Sequence, residues 1–152
     1  MEGVWNMGLF DRKKSKKTKP QEPAVPSTLA EDIAKSCDWI VEALNASGYR
    51  ADYTLESMKE IDRFYNEQNG PDGILGKNLG TIIFALGSYV GETVIQLYGG
   101  QWLCDDSDPE GEVKITVELA NGSVIFPVMR CMKRFHNGAE DSIYAYVYAL
   151  KQ

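Results

Sequence analysis

From Leu79 to Tyr98 the chain runs twenty residues with one charge, Glu92, in the stretch LGTIIFALGSYVGETVIQLY. A segment this long and apolar can cross a bilayer or form the middle of a folded core. Thr81, Ser88, Glu92, Thr93 and Gln96 argue for the core, because a lone span gives such groups no neighbour to satisfy them in lipid. The expectation is a central helix from about Lys77 to Tyr98, buried on most sides. Gly80, Phe84, Gly87 and Gly91 fall on one stripe of it. Each interior glycine costs roughly 1 kcal/mol relative to alanine, so close approach of another element is expected there.

A chain of 152 residues is long enough to bury such a helix. Its net charge of -6 is unevenly spread: residues 1–27 carry six Lys/Arg against three acids, and the remainder ten against nineteen. The acidic body argues against nucleic acid, which demands phosphate neutralisation. Residues 1–27, basic and Pro-containing, read as a disordered tail preceding a single α+β domain over 28–152. The tail suits a solubilising extension; the alternative is contact with an anionic membrane surface, helped by Trp5, Leu9 and Phe10. Cys37, Cys104 and Cys131 are odd in number and form no CxxC, which fits reduced thiols and a cytoplasmic location rather than disulfides or zinc. No long apolar run near the N-terminus suggests a secretory leader.

Thr28 to Glu31 reads as a capping box opening a helix with Leu29, Ile33, Cys37, Ile40, Val41 and Leu44 on one side, ending at Gly48. Thr54 is expected to cap a second helix bearing Leu55, Met58, Ile61 and Tyr65, and residues 69–76 to form a loop. After the central helix, Gln101–Cys104 reads as a strand and Asp105–Glu112 as an acidic loop. Val113–Leu119 alternates as a strand, and Asn121-Gly122 signals a two-residue hairpin pairing Leu119 with Val124 and Val117 with Phe126. Pro127 opens a helix with Val128, Cys131, Met132 and Phe135 inward and Lys133, Arg134 and His136 near its C-terminus. The final segment, around Ile143, Val147 and Leu150, fits a helix. The architecture expected is α+β: three N-terminal helices packed on a small three-stranded antiparallel sheet, with one or two C-terminal helices.

Few residues promise chemistry. His136 is the only histidine and has no companion ligand in the sequence. GPDGILGKNLG lacks the ending of a phosphate loop, and DDSDPEGE lacks EF-hand spacing. No catalytic residue, metal site or cofactor is expected. Glu92 has two readings. As a structural acid it accepts hydrogen bonds from the following strand or pairs with Arg130 or Lys133. As a functional one it anchors a ligand or acts as a base in a cleft flanked by Tyr89 and Trp102.

LGSYVGETVIQLYGGQW, with LESMKEIDRFYNEQ before it and SVIFPVMRCMKRFHNGAEDSIYAY after it, resembles a group of small uncharacterised bacterial proteins. The shared pattern is a G-x-Y-x-G-E helix, a G-G-x-W turn and an acidic-Ser segment, here at Gly87, Tyr89, Gly91, Glu92, Gly100, Trp102, Gly138 and Asp141. The resemblance implies a fold and no activity. A non-enzymatic protein-interaction module is expected, its acidic surface meeting a basic partner, with a toxin-neutralising immunity protein as a narrower form. The alternative is a small-molecule binder or enzyme using Tyr89, Glu92 and Trp102.

Overall fold

In the computed structural model, which describes residues 26–151, Thr28 opens the first helix as its sequence dictates. Its hydroxyl accepts the Glu31 N–H at 3.1 Å, and the Glu31 carboxylate accepts the Thr28 N–H at 3.0 Å. The two bonds satisfy backbone donors that a helix start otherwise strands. Helix α1 spans Leu29–Ala46 and ends at Gly48, whose φ of +93° suits a residue without a side chain. Helix α2, Ser57–Gln68, starts two residues later than its Thr54 cap suggests. The Thr54 hydroxyl does accept the Ser57 N–H, but residues 54–59 are first wound tightly by i→i+3 bonds. Residues 69–78 turn and carry a short 3-10 segment, Leu75–Lys77, that buries Ile74 and Leu75.

Helix α3, Leu79–Tyr98, is the centre of the fold. It is long and apolar enough to cross a bilayer, yet 67% of its most apolar window is buried inside the protein. Ser88 and Thr93 tolerate this burial because their hydroxyls donate to the Phe84 and Tyr89 carbonyls one turn back, each at 2.8 Å. α1 packs on one side of α3 and helix α4, Pro127–Asn137, on another. The glycine stripe explains the second contact. A Cβ on Gly87 would sit 2.8 Å from the Val128 Cα, and one on Gly91 would overlap the Trp102 indole. Gly80 faces open space and needs no such account.

Strands β1 (Gly100–Leu103), β2 (Thr116–Leu119) and β3 (Val124–Ile125) form an antiparallel sheet in sequence order. Ile115, Val117 and Leu119 point inward as the alternation predicts. The β2 strand is shorter than expected, since residues 110–114 are turns and Val113 is exposed. The hairpin is slipped by one residue: Val117 faces Ile125 and Glu118 faces Val124. Its loop is Ala120–Gly122, closed by the Leu119 N–H to the Ser123 carbonyl at 2.7 Å, with Gly122 at φ +92°. A turn closed by the Gly122 N–H to the Leu119 carbonyl, ending on a left-handed glycine, makes this three-residue loop. The slip sends Ile125 into the core and leaves Val124 and Phe126 exposed.

The last segment is helix α5, Ile143–Ala149. α2 packs chiefly against α5, while α3 carries the sheet, so the three N-terminal helices do not all lie on the sheet. On α4 the inward stripe is Pro127, Val128, Cys131 and Arg134; Met132 is exposed. The expected disordered tail, apart from Pro26 and Ser27, lies outside the described residues.

Candidate functional site

A cleft of about 320 Å3 opens between α1, α3 and β1. α1 supplies Ala30, Ile33, Ala34, Cys37 and Asp38, at spacings of three and four that share one helical face. The two alanines are too short to fill the space, which is why a hollow remains. α3 contributes Glu92 and Gln96, the link after α1 contributes Tyr53, and β1 contributes Trp102. Trp102 lies opposite Val117 on the inward face of the sheet, and its indole rests where Gly91 has no side chain.

That seat aims the indole at Glu92. Trp102 Nε1–H donates to Glu92 Oε1 at 3.2 Å. Among the described residues no hydrogen bond reaches Oε2. The bond therefore comes from the following strand and not from Arg130 or Lys133. Arg130 pairs with Asp141 at 3.3 Å and lies 4.1 Å over the Tyr146 ring, and Lys133 is exposed.

Tyr89 does not line the cleft. It is wholly buried, its hydroxyl within 2.7 Å of Ser57 Oγ and accepting the Tyr53 N–H at 2.9 Å. Tyr53 takes its place in the wall, its ring 4.9 Å from that of Tyr89. It does so at φ +61°, the only non-glycine positive φ among the described residues. Such a conformation costs on the order of 1–3 kcal/mol and persists only where its surroundings enforce it. The hydrogen bond to Tyr89 and the tilted contact of the two rings supply that enforcement.

The Tyr53 phenol and the Cys37 thiol act on one another in the cleft wall. Burial first, then the Glu92 and Asp38 charges, push that thiol up to about 12 against the opposing effect of Tyr53. Burial chiefly, with Cys37, Tyr89, Asp38 and Glu92 adding, raises the Tyr53 phenol as well. Both groups hold their protons at neutral pH, so neither is a ready nucleophile. Glu92 and Asp38 act on the same thiol and the same phenol, which places two carboxylates on one cleft.

Acids also gather at the start of α1. Asp106 Oδ1 accepts the Leu29 N–H at 2.7 Å and ties the 105–112 loop to the start of α1. The loop is organised from within: Asp105 accepts from the Ser107 N–H and hydroxyl, and Asp108 from the Glu110 N–H. Glu31, Asp38, Asp105, Glu110 and Glu112 are exposed, and Lys114 lies 3.6 Å from Asp108 and 3.7 Å from Glu110. Among the described residues no three His, Cys, Asp or Glu groups converge to hold a metal.

A second polar cluster lies between α2, α4 and α5, and the sequence did not disclose it. Asp62 Oδ1 accepts Arg134 Nε at 2.8 Å and the Ile143 N–H at 2.9 Å, while Oδ2 accepts the Ser142 hydroxyl at 2.9 Å and the Tyr144 N–H at 3.0 Å. Arg134, only 3% exposed, also donates to Asn66 Oδ1 and the Asp62 carbonyl. Arg134 therefore does not serve the α4 dipole at the surface as its position suggested. His136 stays exposed beside Phe135. The clue in the sequence, an acid on the apolar stripe of α2, is too common to point to a partner seventy-two positions away. No protein family model, no curated protein and no solved structure matches this chain.

Proposed function

We propose that this chain is a non-catalytic protein-interaction module that binds a basic partner through the acidic face made by α1, the 105–112 loop and the mouth of the cleft. The observation that carries this reading is the Leu29 to Asp106 hydrogen bond, which sets the loop's acids beside those of α1. Ten basic against nineteen acidic residues beyond position 27 favour electrostatic steering of a cationic surface. The protonated Cys37 and Tyr53 supply no nucleophile, and His136 lies on another element. Free Cys37, Cys104 and Cys131 suit a reducing cytoplasm. A toxin-neutralising immunity protein is the narrower form of the same reading.

The test is capture on the immobilised full chain from its own cells at low salt, then at about 0.3 M, where exposed charges are screened within a few ångströms. One defined basic partner should be held at low salt and released at high salt. Replacing exposed Asp38 and Glu112 by lysine should cut its recovery several-fold. Equal recovery at both salts, or from the lysine variant, overturns the reading. The alternative of a small-molecule binder around Tyr89, Glu92 and Trp102 is favoured by the cleft itself, with Tyr53 and Asp38 standing where Tyr89 was expected.

A further inference from the structure

We infer that the cleft between α1, α3 and β1 is a receptor for a single organic cation, an alkylammonium or guanidinium head, held by Glu92 and Asp38 between the rings of Trp102 and Tyr53. The inference deepens the module reading and rests on it in one respect: a basic partner's lysine or arginine is one source of that head, and a free amine or guanidine is the other.

The lining selects the charge. It contains two carboxylates and no lysine or arginine, so an anion meets only repulsion. A neutral occupant would strip water from Glu92 without replacing it, and a carboxylate left so is costly. Aromatic faces favour the same sign, because ring quadrupoles attract cations and gain strength as water is excluded. The walls suit a soft, partly apolar ion better than a bare metal, which needs a convergent set of oxygen ligands absent among the described residues. The volume of about 320 Å3 lies at the small end for ligand pockets. It admits the end of one side chain or one small molecule, not a folded element.

The site is also built in advance. Glu92 stands on the central, mostly buried helix of the fold, one residue after the glycine that seats Trp102. The indole N–H occupies Oε1 of a side chain that lines the cleft and leaves Oε2 as an acceptor with no partner among the described residues. The Tyr53 backbone is held by its N–H donating to the Tyr89 hydroxyl, and its ring packs on that of Tyr89. Little side-chain entropy remains to be lost when a ligand enters.

The test follows the Trp102 indole N–H resonance in 15N-labelled full-length protein, assigned by its loss in Trp102→Phe. Butylguanidinium and butylammonium should shift it saturably, and the neutral isostere butylurea should not. Glu92→Gln, with an unchanged melting profile, should weaken cation binding roughly ten- to a hundred-fold, the range for a hydrogen bond to a charged group. Asp38→Asn should weaken it less, since Asp38 is exposed. Butylurea binding as well as butylguanidinium, an unaltered affinity in Glu92→Gln, or no shift with any cation overturns the inference. An acetylated arginine amide binding tighter than butylguanidinium assigns the head to a partner's side chain; equal or weaker binding assigns it to a free molecule. If cation binding fails while partner capture stays salt-sensitive, the inference falls alone. If capture fails while cation binding holds, only the module reading falls.

Discussion

Two carboxylates of this fold, Asp62 on α2 and Glu92 on α3, each lie among buried apolar residues of their helix, and they are treated differently. Asp62 has two donors on each oxygen: a guanidinium, a hydroxyl and two backbone amides that begin α5. Glu92 has one donor among the described residues, an indole, and borders an open cleft. An acid whose acceptors are all filled from within is a joint between elements. An acid held in place by one bond, with an acceptor to spare beside a cavity, is poised for something from outside. The contrast separates architecture from recognition without appeal to residue type.

The largest effect should come from breaking the filled site. Asp62→Ala leaves the Arg134 guanidinium, 3% exposed, without its anion and removes the acceptor that caps α5. Loss of one partner from a buried pair costs about 3–5 kcal/mol. Urea unfolding should show that drop, with the midpoint falling and the slope unchanged. A loss below about 1 kcal/mol, the ordinary cost of a surface ion pair, would erase the distinction drawn between the two acids.

The glycines of α3 sharpen the same contrast, because one serves packing and the other serves the cleft. A methyl at Gly87 would meet the Cα and N of Val128 at 2.8 and 3.0 Å, which belong to the backbone of α4 and cannot move without the helix. Gly87→Ala should therefore cost about 1–3 kcal/mol by overpacking. At Gly91 the obstacle is chiefly the far edge of the Trp102 ring, which can swing. Part of that cost is offset by the roughly 1 kcal/mol that alanine gains over glycine in a helix. Gly91→Ala should thus melt nearer to wild type than Gly87→Ala, yet displace the indole N–H resonance and weaken cation binding. The reverse order of stabilities would mean that the stripe is used otherwise than its neighbours indicate.

Much of the fold was legible because it follows from local rules. The capping box at Thr28, the helix start at Pro127 and the demand of Gly87 and Gly91 for close neighbours are each written within a few residues. The hairpin was legible as a hairpin but not in register. Asn121-Gly122 serves a two- or a three-residue loop, and Val124, Ile125 and Phe126 are all apolar, so the hydrophobic pattern could not arbitrate a slip of one. Of the candidate site, Glu92 and Trp102 were visible as a misplaced charge and a tryptophan after a glycine turn. Tyr53 and Asp38 were not. Their importance arises from the left-handed backbone at Tyr53 and from the hollow left by Ala30 and Ala34, and both emerge only when α1 meets α3. Arg134 was hidden for the same reason: a helix-terminal arginine looks like a dipole partner until α2 is packed beside it.

The smallest stability effect belongs to the acid with the open acceptor. Glu92→Gln keeps an amide oxygen where Oε1 accepts the Trp102 N–H, so the indole stays tethered. It removes one of the two carboxylate charges that line the cleft, so like-charge crowding falls as the hydrogen bond weakens. The two changes oppose each other, and the net shift should stay within about 1 kcal/mol of wild type in thermal or urea melts. Asp62→Ala, by contrast, has no such relief, since its neighbours are donors. A Glu92→Gln loss as large as that of Asp62→Ala would make Glu92 a joint like Asp62, and the cleft beside it would then be a by-product of packing.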